Sequence, residues 1–387
     1  DHCERCRKNP EEREHNRVLN HPRPPCAARA MRTDSYPELP DCQSMTACRI
    51  SPLVGSAAPG RRRPQWCANP STKVRHEQHA ASDWAGLRGA HQRSALWQRF
   101  HHKRWQYVGI SGAECFIGLA IVDAGWAASA FAYVFDREQR RVLVEFSAMG
   151  VPGFSVKVND KAGDGAFAQF KGPAGDISLI RQRGSSVYVL KLQTRSGLNI
   201  DATLDAGLAA PTLSAIIPIQ AGIANCTQKS ACLRASGHAS VNGRCFDLNG
   251  YSASLDYTNG LLARNTAWRW ASAHSPDVGF NLQAGFNGAA ENVLWLHGKM
   301  ILLGAAQFEF DPKRPMQPWR VFTDDGLLDL TFEPHGARRE NKNLLVAASF
   351  YIQPIGVFSG QVRAHANDAP TMVCNLLGVT EDHRARW

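Results

Sequence analysis

Short runs of alternating apolar and polar residues, each followed by a tight-turn signal, recur along most of this chain. Residues 187–194 form one such run, a Gly-containing turn follows at 195–197, and a second run occupies 198–204. Period-two alternation on both sides of a glycine turn is typical of a β-hairpin. The pattern predicts further hairpins with turns at residues 136–139, 242–243, 297–298 and 324–326. Since no segment shows the helical period of 3.6, we predict an all-β sandwich or barrel fold.

One stretch, residues 116–135, is apolar enough to suggest a membrane-spanning helix. However, Asp123 lies near its middle and is followed by Ala-Gly, which indicates a turn. We therefore predict two buried strands joined in a hairpin rather than a transmembrane segment. The polar start of the chain has no apolar run of the signal-peptide kind. These features predict a cytoplasmic protein.

The net charge of +10 is concentrated at the start of the chain. Of the 44 Lys and Arg and the 34 Asp and Glu, residues 1–105 hold 19 and 10, which leaves 25 and 24 for the rest. An excess of positive charge favours nucleic acid or anionic membranes as partners. Because the body is nearly neutral, we expect it to have no nucleic-acid partner. Nucleic-acid binding by the leader, with Arg61, Arg62 and Arg63 as its basic patch, stays open as an alternative.

The first 85 residues lack a regular period and contain six of the eleven cysteines. We predict an irregular, basic, Cys-rich extension over residues 1–85 that is disordered. Translation from upstream of the natural start is an alternative, because the first Met is Met31. Cys3 and Cys6 have no second pair at zinc-site spacing, so we expect no metal. The five cysteines of the body are scattered, which favours a reducing compartment over a disulfide framework.

The body of about 300 residues is too long for one small barrel and suits two. Residues 211–224 contain Pro211, Pro218 and Gly222, and they form the candidate join. We therefore predict an N-terminal barrel over residues 86–220 and a C-terminal one over 221–387. Closed barrels leave no exposed strand edge, and their interiors can hold one small ligand.

The segment 255–271 contains the most informative aromatic and polar residues. On a strand, Trp268 and Trp270 share one face and Arg269 lies on the other. If the next segment is also a strand, its polar residues at 281 and 283 share a face as well. An apolar cavity lined by tryptophan with a few polar groups is typical of a small-molecule site. The candidate ligand-binding residues are Trp268, Trp270, Asn281, Gln283, Trp295, Glu381 and Asp382.

A carboxylic acid in such a cavity has a raised pKa and can protonate an alkene or a carbonyl. We predict Asp256 as this acid, with Tyr257 and Arg264 as supporting residues. The alternative is that the tryptophans form the barrel core and that Asp256 pairs with an arginine for structural reasons. His274 is predicted to lie in a polar loop without a clear role. The body has no GxSxG, P-loop, GxGxxG or HExxH motif.

Several short motifs of the body occur together. They include Lys103-Arg-Trp-Gln-Tyr-Val-Gly109, Ile121-Val-Asp-Ala-Gly125, Thr227-Gln-Lys229, Leu255-Asp-Tyr-Thr-Asn-Gly-Leu-Leu-Ala-Arg264, Thr266-Ala-Trp-Arg-Trp270, Gly279-Phe-Asn-Leu282, Pro318-Trp-Arg-Val321 and Gly378-Val-Thr-Glu-Asp382. In this combination the chain resembles the family known as domain of unknown function 2804. The resemblance runs from about residue 97 to the C-terminus.

This resemblance implies a lipocalin-like, calycin-type double barrel, similar to the carotenoid 1,2-hydratase, tocopherol cyclase and Diels–Alderase group. Members of that group protonate or shape apolar, polyene-like molecules in a barrel cavity. We therefore predict binding of a polyene, isoprenoid or lipid in a Trp-lined barrel cavity. Acid-catalysed hydration, cyclisation or isomerisation is the candidate chemistry, with no cofactor. A non-catalytic lipid carrier with the same cavity is the alternative.

Overall fold

A computed structural model describes residues 75–76, 84, 91–344 and 347–387, all within one compact unit. These residues are almost entirely antiparallel β-structure, arranged as two sheets. The α-helix α1 (Ala95–His101) precedes the main strands, and the Ser94 hydroxyl caps it by accepting from the Trp97 N–H at 3.2 Å. A 3₁₀ helix covers Gly288–Glu291. Within the described residues, no helix is both long enough and apolar enough to cross a bilayer.

The first sheet contains fourteen strands and curls into a near-barrel. Its strands are β1 (Arg75–His76), β2 (His102–Ser111), β3 (Cys115–Asp123), β4 (Ala128–Asp136), β5 (Arg141–Gly150), β6 (Val156–Val158), β7 (Phe167–Gly172), β8 (Gly175–Arg181), β9 (Val187–Thr194), β10 (Leu198–Asp205), β11 (Leu213–Pro218), β12 (Ala224–Val241), β13 (Arg244–Asp247) and β14 (Tyr251–Leu261). Their main order is β5-β4-β3-β2-β14-β12-β10-β9-β8-β7-β6. Strand β6 packs back against β3, which brings the two ends of the sheet together.

The second sheet contains nine strands and forms a half-barrel. Its strands are β15 (Asn265–His274), β16 (Val278–Gly285), β17 (Val293–Leu296), β18 (Lys299–Leu302), β19 (Ala306–Glu309), β20 (Trp319–Thr323), β21 (Leu328–Leu344), β22 (Ala347–Val362) and β23 (Thr371–Arg386). Their order is β18-β17-β16-β15-β23-β22-β21-β20-β19. The predicted all-β class is confirmed. The two predicted tandem barrels take the form of a near-barrel and a half-barrel.

The predicted hairpins are confirmed. The apolar stretch 116–135 forms β3 and β4, and the turn after Asp123 is closed because its carboxylate accepts from the Gly125 N–H at 2.9 Å. The pairs β4/β5, β9/β10, β12/β13, β17/β18 and β20/β21 are the other hairpins. His297 has a positive φ of 49°, as expected for a hairpin turn residue. Local alternation and turn chemistry were therefore sufficient to predict these pairs.

The predicted domain boundaries need correction. The proposed join at 211–224 contains β11, which pairs with β12 inside the first sheet. Strands β12 and β14 also belong to that sheet, so the change of sheet falls between β14 and β15 rather than at residue 220. The boundary at residue 85 shifts as well, because β1 pairs with β11 and the Trp84 indole donates to Asn259 Oδ1 at 3.0 Å. The other predictions for the extension lie outside the described residues.

Three apolar clusters determine where a ligand can bind. One cluster fills the inside of the near-barrel, with members such as Ile117, Leu190 and Phe246. A second fills the half-barrel, with Trp319, Leu330 and Phe358 among its members. The third lies between the two sheets and joins the outer face of β2–β4 to β15, β22 and β23. The first two clusters occupy the interiors of the sheets, whereas the third borders the contact between the sheets.

His274 gives the first testable prediction. It is the last residue of β15 and is buried against the first sheet, with its ring nitrogen Nε2 3.1 Å from the Ser252 carbonyl oxygen. The expected polar loop is therefore wrong. Burial lowers the pKa of His274 to about 4, although backbone hydrogen bonds partly oppose the shift. The folded protein thus binds this proton less readily than the unfolded chain, whose pKa is about 6.5.

Stability should therefore be complete above pH 6.5 and fall as the pH drops towards 4, by about 3 kcal/mol in total for this group. Urea unfolding of wild type at pH 7 and 4.5 measures the loss. His274→Gln is expected to remove most of this acid sensitivity. The exposed His238→Gln serves as control and should retain the wild-type profile. An unchanged acid profile in His274→Gln would contradict the assignment.

Candidate functional site

A cavity of about 120 Å³ lies between the two sheets. The near-barrel supplies residues from β2, β3, β4, β12 and β14, and the half-barrel supplies residues from β15, β16, β22 and β23. The lining residues are Trp105, Tyr107, Ala120, Val122, Phe131, Lys229, Asp256, Trp268, Trp270, Gln283, Phe286, Asn287, Glu291, Tyr351, Glu381, His383 and Trp387. The cavity was predicted to lie inside a barrel, but apolar cores occupy the interiors of both sheets.

Aromatic side chains form the walls of the cavity. On β2, Trp105 and Tyr107 share the outer face of the near-barrel, and on β15, Trp268 and Trp270 share the facing side of the half-barrel. The ring centroids of Trp105 and Trp268 lie 6.4 Å apart with nearly parallel planes. Tyr107 meets Trp270 edge to face at 5.4 Å. Such walls favour an apolar or conjugated ligand.

A buried cluster of one cation and two carboxylates forms part of this wall. Lys229 on β12 and Asp256 on β14 are direct cross-strand partners, and Lys229 Nζ lies 2.5 Å from Asp256 Oδ1. The same ammonium lies 3.2 Å from Oε2 of Glu291, the last residue of the 3₁₀ helix. Thr227 Oγ1 donates to Glu291 Oε2 at 2.9 Å, and Asn287 Nδ2 donates to Glu291 Oε1 at 2.8 Å. Glu291 is therefore held as an acceptor, while Asp256 faces the cavity.

The electrostatics of the cluster raise the pKa of both Asp256 and Lys229. Burial raises the pKa of Asp256, Lys229 opposes the rise, and the nearby Glu291 carboxylate adds to it. Burial also lowers the pKa of Lys229, but Asp256 and Glu291 outweigh this effect, so the net shift is upward. Two carboxylates thus share one cation in a dry environment. The arrangement holds an acid proton at a higher pH than an exposed carboxyl can.

A third carboxylate, Glu381, lies on the β23 side of the cavity. Its Oε1 accepts from Trp268 Nε1 at 2.8 Å, and its Oε2 accepts from Gln353 Nε2 at 3.0 Å. Gln353 in turn accepts from the buried Tyr133 hydroxyl at 2.5 Å. His383 Nδ1 lies 3.6 Å from Glu381 Oε1. This chain of hydrogen bonds crosses from the half-barrel to the near-barrel and orients Glu381.

The structure brings five of the predicted site residues together. These are Asp256, Trp268, Trp270, Gln283 and Glu381. Asn281 stands directly behind them: it accepts from Trp270 Nε1 at 2.8 Å and donates to the Glu291 carbonyl at 2.8 Å. Its position fixes the Trp270 ring and the acid-bearing segment relative to each other.

Four predicted residues do not line the cavity. Tyr257 alternates with Asp256 on β14, so its hydroxyl lies inside the near-barrel and donates to the Asn159 carbonyl at 3.0 Å. Asp382 alternates with Glu381 and faces Arg269, at an oxygen–nitrogen distance of 3.8 Å. The others are Arg264, whose carbonyl accepts from the C-terminal residue's N–H, and Trp295, whose indole donates to the Pro211 carbonyl at 2.7 Å.

The partners of Asp256 were not predicted from the sequence. Lys229 belongs to one of the family motifs, and Glu291 has no predicted role. Tyr107 and His383 were also missed, although both line the cavity. The pairing of β12 with β14 carries the signal for Lys229, because it places residue 229 opposite residue 256. In the part of the chain that the structure describes, no group of three or more His, Cys, Asp and Glu side chains is placed to hold a metal ion.

Fold and site together define a two-sheet antiparallel β protein with an aromatic cavity at the contact between its sheets. The chain belongs to the family described as domain of unknown function (DUF2804), whose model matches residues 84–387. The resemblance inferred from the motifs is thereby confirmed. A search of the curated proteins finds no match.

Several solved structures are similar to this chain at low identity. A protein described as AttH from Nitrosomonas europaea has 11% identity and a TM-score of 0.43, with 76% of this chain and 97% of that chain covered. Kievitone hydratase from Nectria haematococca has 11% identity and a TM-score of 0.47, with 76% and 93% covered. CghA has 10% identity and a TM-score of 0.45, with 73% and 88% covered.

Proposed function

We propose that the cavity binds a hydrophobic small molecule of the isoprenoid or polyene type and that Asp256 protonates it. One observation carries this proposal: aromatic walls enclose a buried cluster in which Lys229 faces the two carboxylates of Asp256 and Glu291. A purely structural ion pair does not need an open apolar cavity beside it. An acid used on an apolar ligand needs both features.

The proposed chemistry is acid catalysis, in which Asp256 first gives up a proton and then regains one. Asp256 donates its proton to an alkene carbon or a carbonyl oxygen of the ligand and becomes a carboxylate. The ligand then adds water and returns a proton to Asp256, which gives hydration, or loses a neighbouring proton to Asp256, which gives isomerisation or cyclisation. Lys229 stays an ammonium ion throughout and stabilises the carboxylate that forms. No other reactant is required.

The aromatic walls also stabilise positive charge on the ligand and keep bulk water away from it. A carbocation or protonated carbonyl that forms in the cavity lies close to the ring faces of Trp105, Trp268 and Trp270. Aromatic faces attract positive charge, and the dry environment strengthens the attraction. The same rings exclude bulk water from the ligand. Both effects favour an acid-catalysed step on an apolar molecule.

Binding is tested with prodan, a neutral naphthyl ketone whose fluorescence shifts to the blue in apolar surroundings. We expect wild type to bind prodan with a blue shift and Val122→Trp to bind it at least about ten-fold more weakly, because Val122 lines the cavity and indole would fill it. The control is Val189→Trp on the outer surface of β9, where the valine side chain is exposed. Equal binding by both variants would refute the location of the site.

A further inference from the structure

Gln283 is a buried residue of the cavity wall whose side-chain amide makes no hydrogen bond to the described residues. Its side chain lines the cavity and the residue is 3% exposed. Among the described residues, neither its Nε2 nor its Oε1 has a hydrogen-bond partner. Buried amides are nearly always paired, so an amide with both atoms unpaired at a cavity wall points to a partner that is not part of the chain.

The backbone around Gln283 is firmly held, so the free amide is not the result of a loose segment. Its N–H donates to Asn292 Oδ1 at 2.7 Å, and β16 pairs residue 283 with Trp270 on β15. Asn281, two residues earlier on the same strand, is fully paired with Trp270 and with the Glu291 carbonyl. Of these two neighbouring amides, that of Asn281 supports the site and that of Gln283 is available to a ligand.

The charges of the cavity restrict what this ligand can be. Asp256, Glu291 and Glu381 line the cavity together with Lys229 and His383. Lys229 is already engaged by two of the three carboxylates. An anionic headgroup such as a fatty-acid carboxylate would therefore meet repulsion without a free cation to compensate it. A neutral polar group meets no such penalty.

We infer that Gln283 is the specificity-determining residue for a neutral hydroxyl group on an otherwise apolar ligand. A hydroxyl both donates and accepts, so it matches the free Oε1 and Nε2 of the amide at once. This inference rests on the proposed function, because it concerns the ligand of the same cavity. It excludes pure hydrocarbons and free fatty acids as preferred ligands and selects neutral alcohols or phenols.

The test uses three probes with the same ring system: 2-naphthol, 2-methylnaphthalene and 2-naphthoate. Each competes with prodan for wild type, for Gln283→Leu and for Gln228→Leu. Gln228 is the matched control, because it is buried outside the cavity and its amide already donates to Ser214 Oγ at 2.8 Å. Wild type is expected to prefer 2-naphthol over 2-methylnaphthalene by about ten-fold and to bind 2-naphthoate most weakly.

In Gln283→Leu the preference for the hydroxyl should fall to about two-fold or less, while 2-methylnaphthalene binds at least as tightly as before. Gln228→Leu should keep the wild-type preference. Thermal melting of Gln283→Leu should show no loss of stability, since an unpaired buried amide is replaced by an apolar group of similar size. A melting temperature well below that of wild type would show that the amide has a structural partner and would overturn the inference.

The two proposals fail in different ways. If all three probes displace prodan and Gln283→Leu keeps the ten-fold preference, the inference about Gln283 is wrong and the binding site stands. If 2-naphthoate is the tightest probe, the cavity prefers an anion and the inferred preference for a neutral hydroxyl is wrong. If neither prodan nor any naphthyl probe binds wild type, the proposed function itself fails.

Discussion

Replacing Lys229 with Met is expected to lower the free energy of unfolding by about 3–5 kcal/mol, because it leaves two buried carboxylates without their shared cation. The Lys229 side chain is 4% exposed, and those of Asp256 and Glu291 are 14% and 3% exposed. Water therefore cannot replace the ammonium. The measurement is urea unfolding followed by tryptophan fluorescence.

The loss in Lys229→Met should also depend on pH. Without the ammonium, nothing opposes the burial that raises the pKa of Asp256, so the protonated form of this carboxyl group is favoured further in the folded state. Stability of the variant then falls as the pH rises from the unfolded carboxyl range near 4. We expect the deficit to be larger at pH 8 than at pH 5.

A matched control separates this effect from loss of any lysine. Lys191 pairs with Asp201 at 3.3 Å, but the two side chains are 64% and 55% exposed. Lys191→Met should therefore change stability by less than about 1 kcal/mol. The double variant Lys229→Met/Asp256→Asn should recover part of the loss, since one of the two stranded charges is removed. A deficit in Lys229→Met no larger than that of Lys191→Met would contradict the buried cluster.

Replacing Asp256 with Asn is expected to slow an acid-catalysed reaction in the cavity by about 100-fold or more, since an amide cannot release a proton. The cyclisation of citronellal to isopulegol is a suitable reaction. In it, Asp256 protonates the aldehyde oxygen, the alkene attacks the carbonyl carbon, and a neighbouring methyl group returns a proton to the carboxylate. Atoms balance without a second reactant, and gas chromatography follows the product.

The pH profile gives an independent readout of the same group. Burial raises the pKa of Asp256, with Glu291 adding to the rise and Lys229 opposing it. The acid form therefore persists above the usual carboxyl range, and the rate should fall as the pH rises through this shifted pKa. Asp201→Asn, at an exposed surface position, should leave both the rate and the profile unchanged.

The same experiment distinguishes the enzyme from the carrier. Asp256→Asn must still bind prodan, so that a slow rate reflects lost chemistry and not a lost site. If wild type binds both prodan and citronellal but forms no isopulegol faster than buffer does, the lipid carrier is the better interpretation. If Asp256→Asn is as fast as wild type, another group supplies the proton.

The hairpins were predictable because their information is local. A turn such as Asn242-Gly243 and the alternating residues on either side of it lie within a few positions of one another. The join between sheets was not predictable in this way. It depends on β14 pairing with β2, which is about 150 residues earlier in the chain, and with β12. Prolines near residue 220 mark the ends of β11, not a change of sheet.

The residues of the site also divide into those that local sequence predicts and those that depend on contacts between distant parts of the chain. Asp256 and the two tryptophans of β15 were found because an acid near an aromatic strand is visible in the sequence. Strand alternation places Trp268 and Trp270 on one face, and it equally turns Tyr257 away from Asp256, because adjacent strand residues face opposite ways. Lys229 could be found only from the register that places it across from residue 256.

Local patterns and motifs were enough to predict the β class, the hairpins, the family and several residues of the cavity wall, since each depends on neighbouring residues or on motifs. The tertiary structure decided which strands share a sheet, that the barrel interiors are filled, and that the cavity lies between the sheets. It also decided which charges meet Asp256 and that Gln283 remains unpaired. These features depend on contacts between residues far apart in the chain, where packing and cross-strand register, not local propensity, set the outcome.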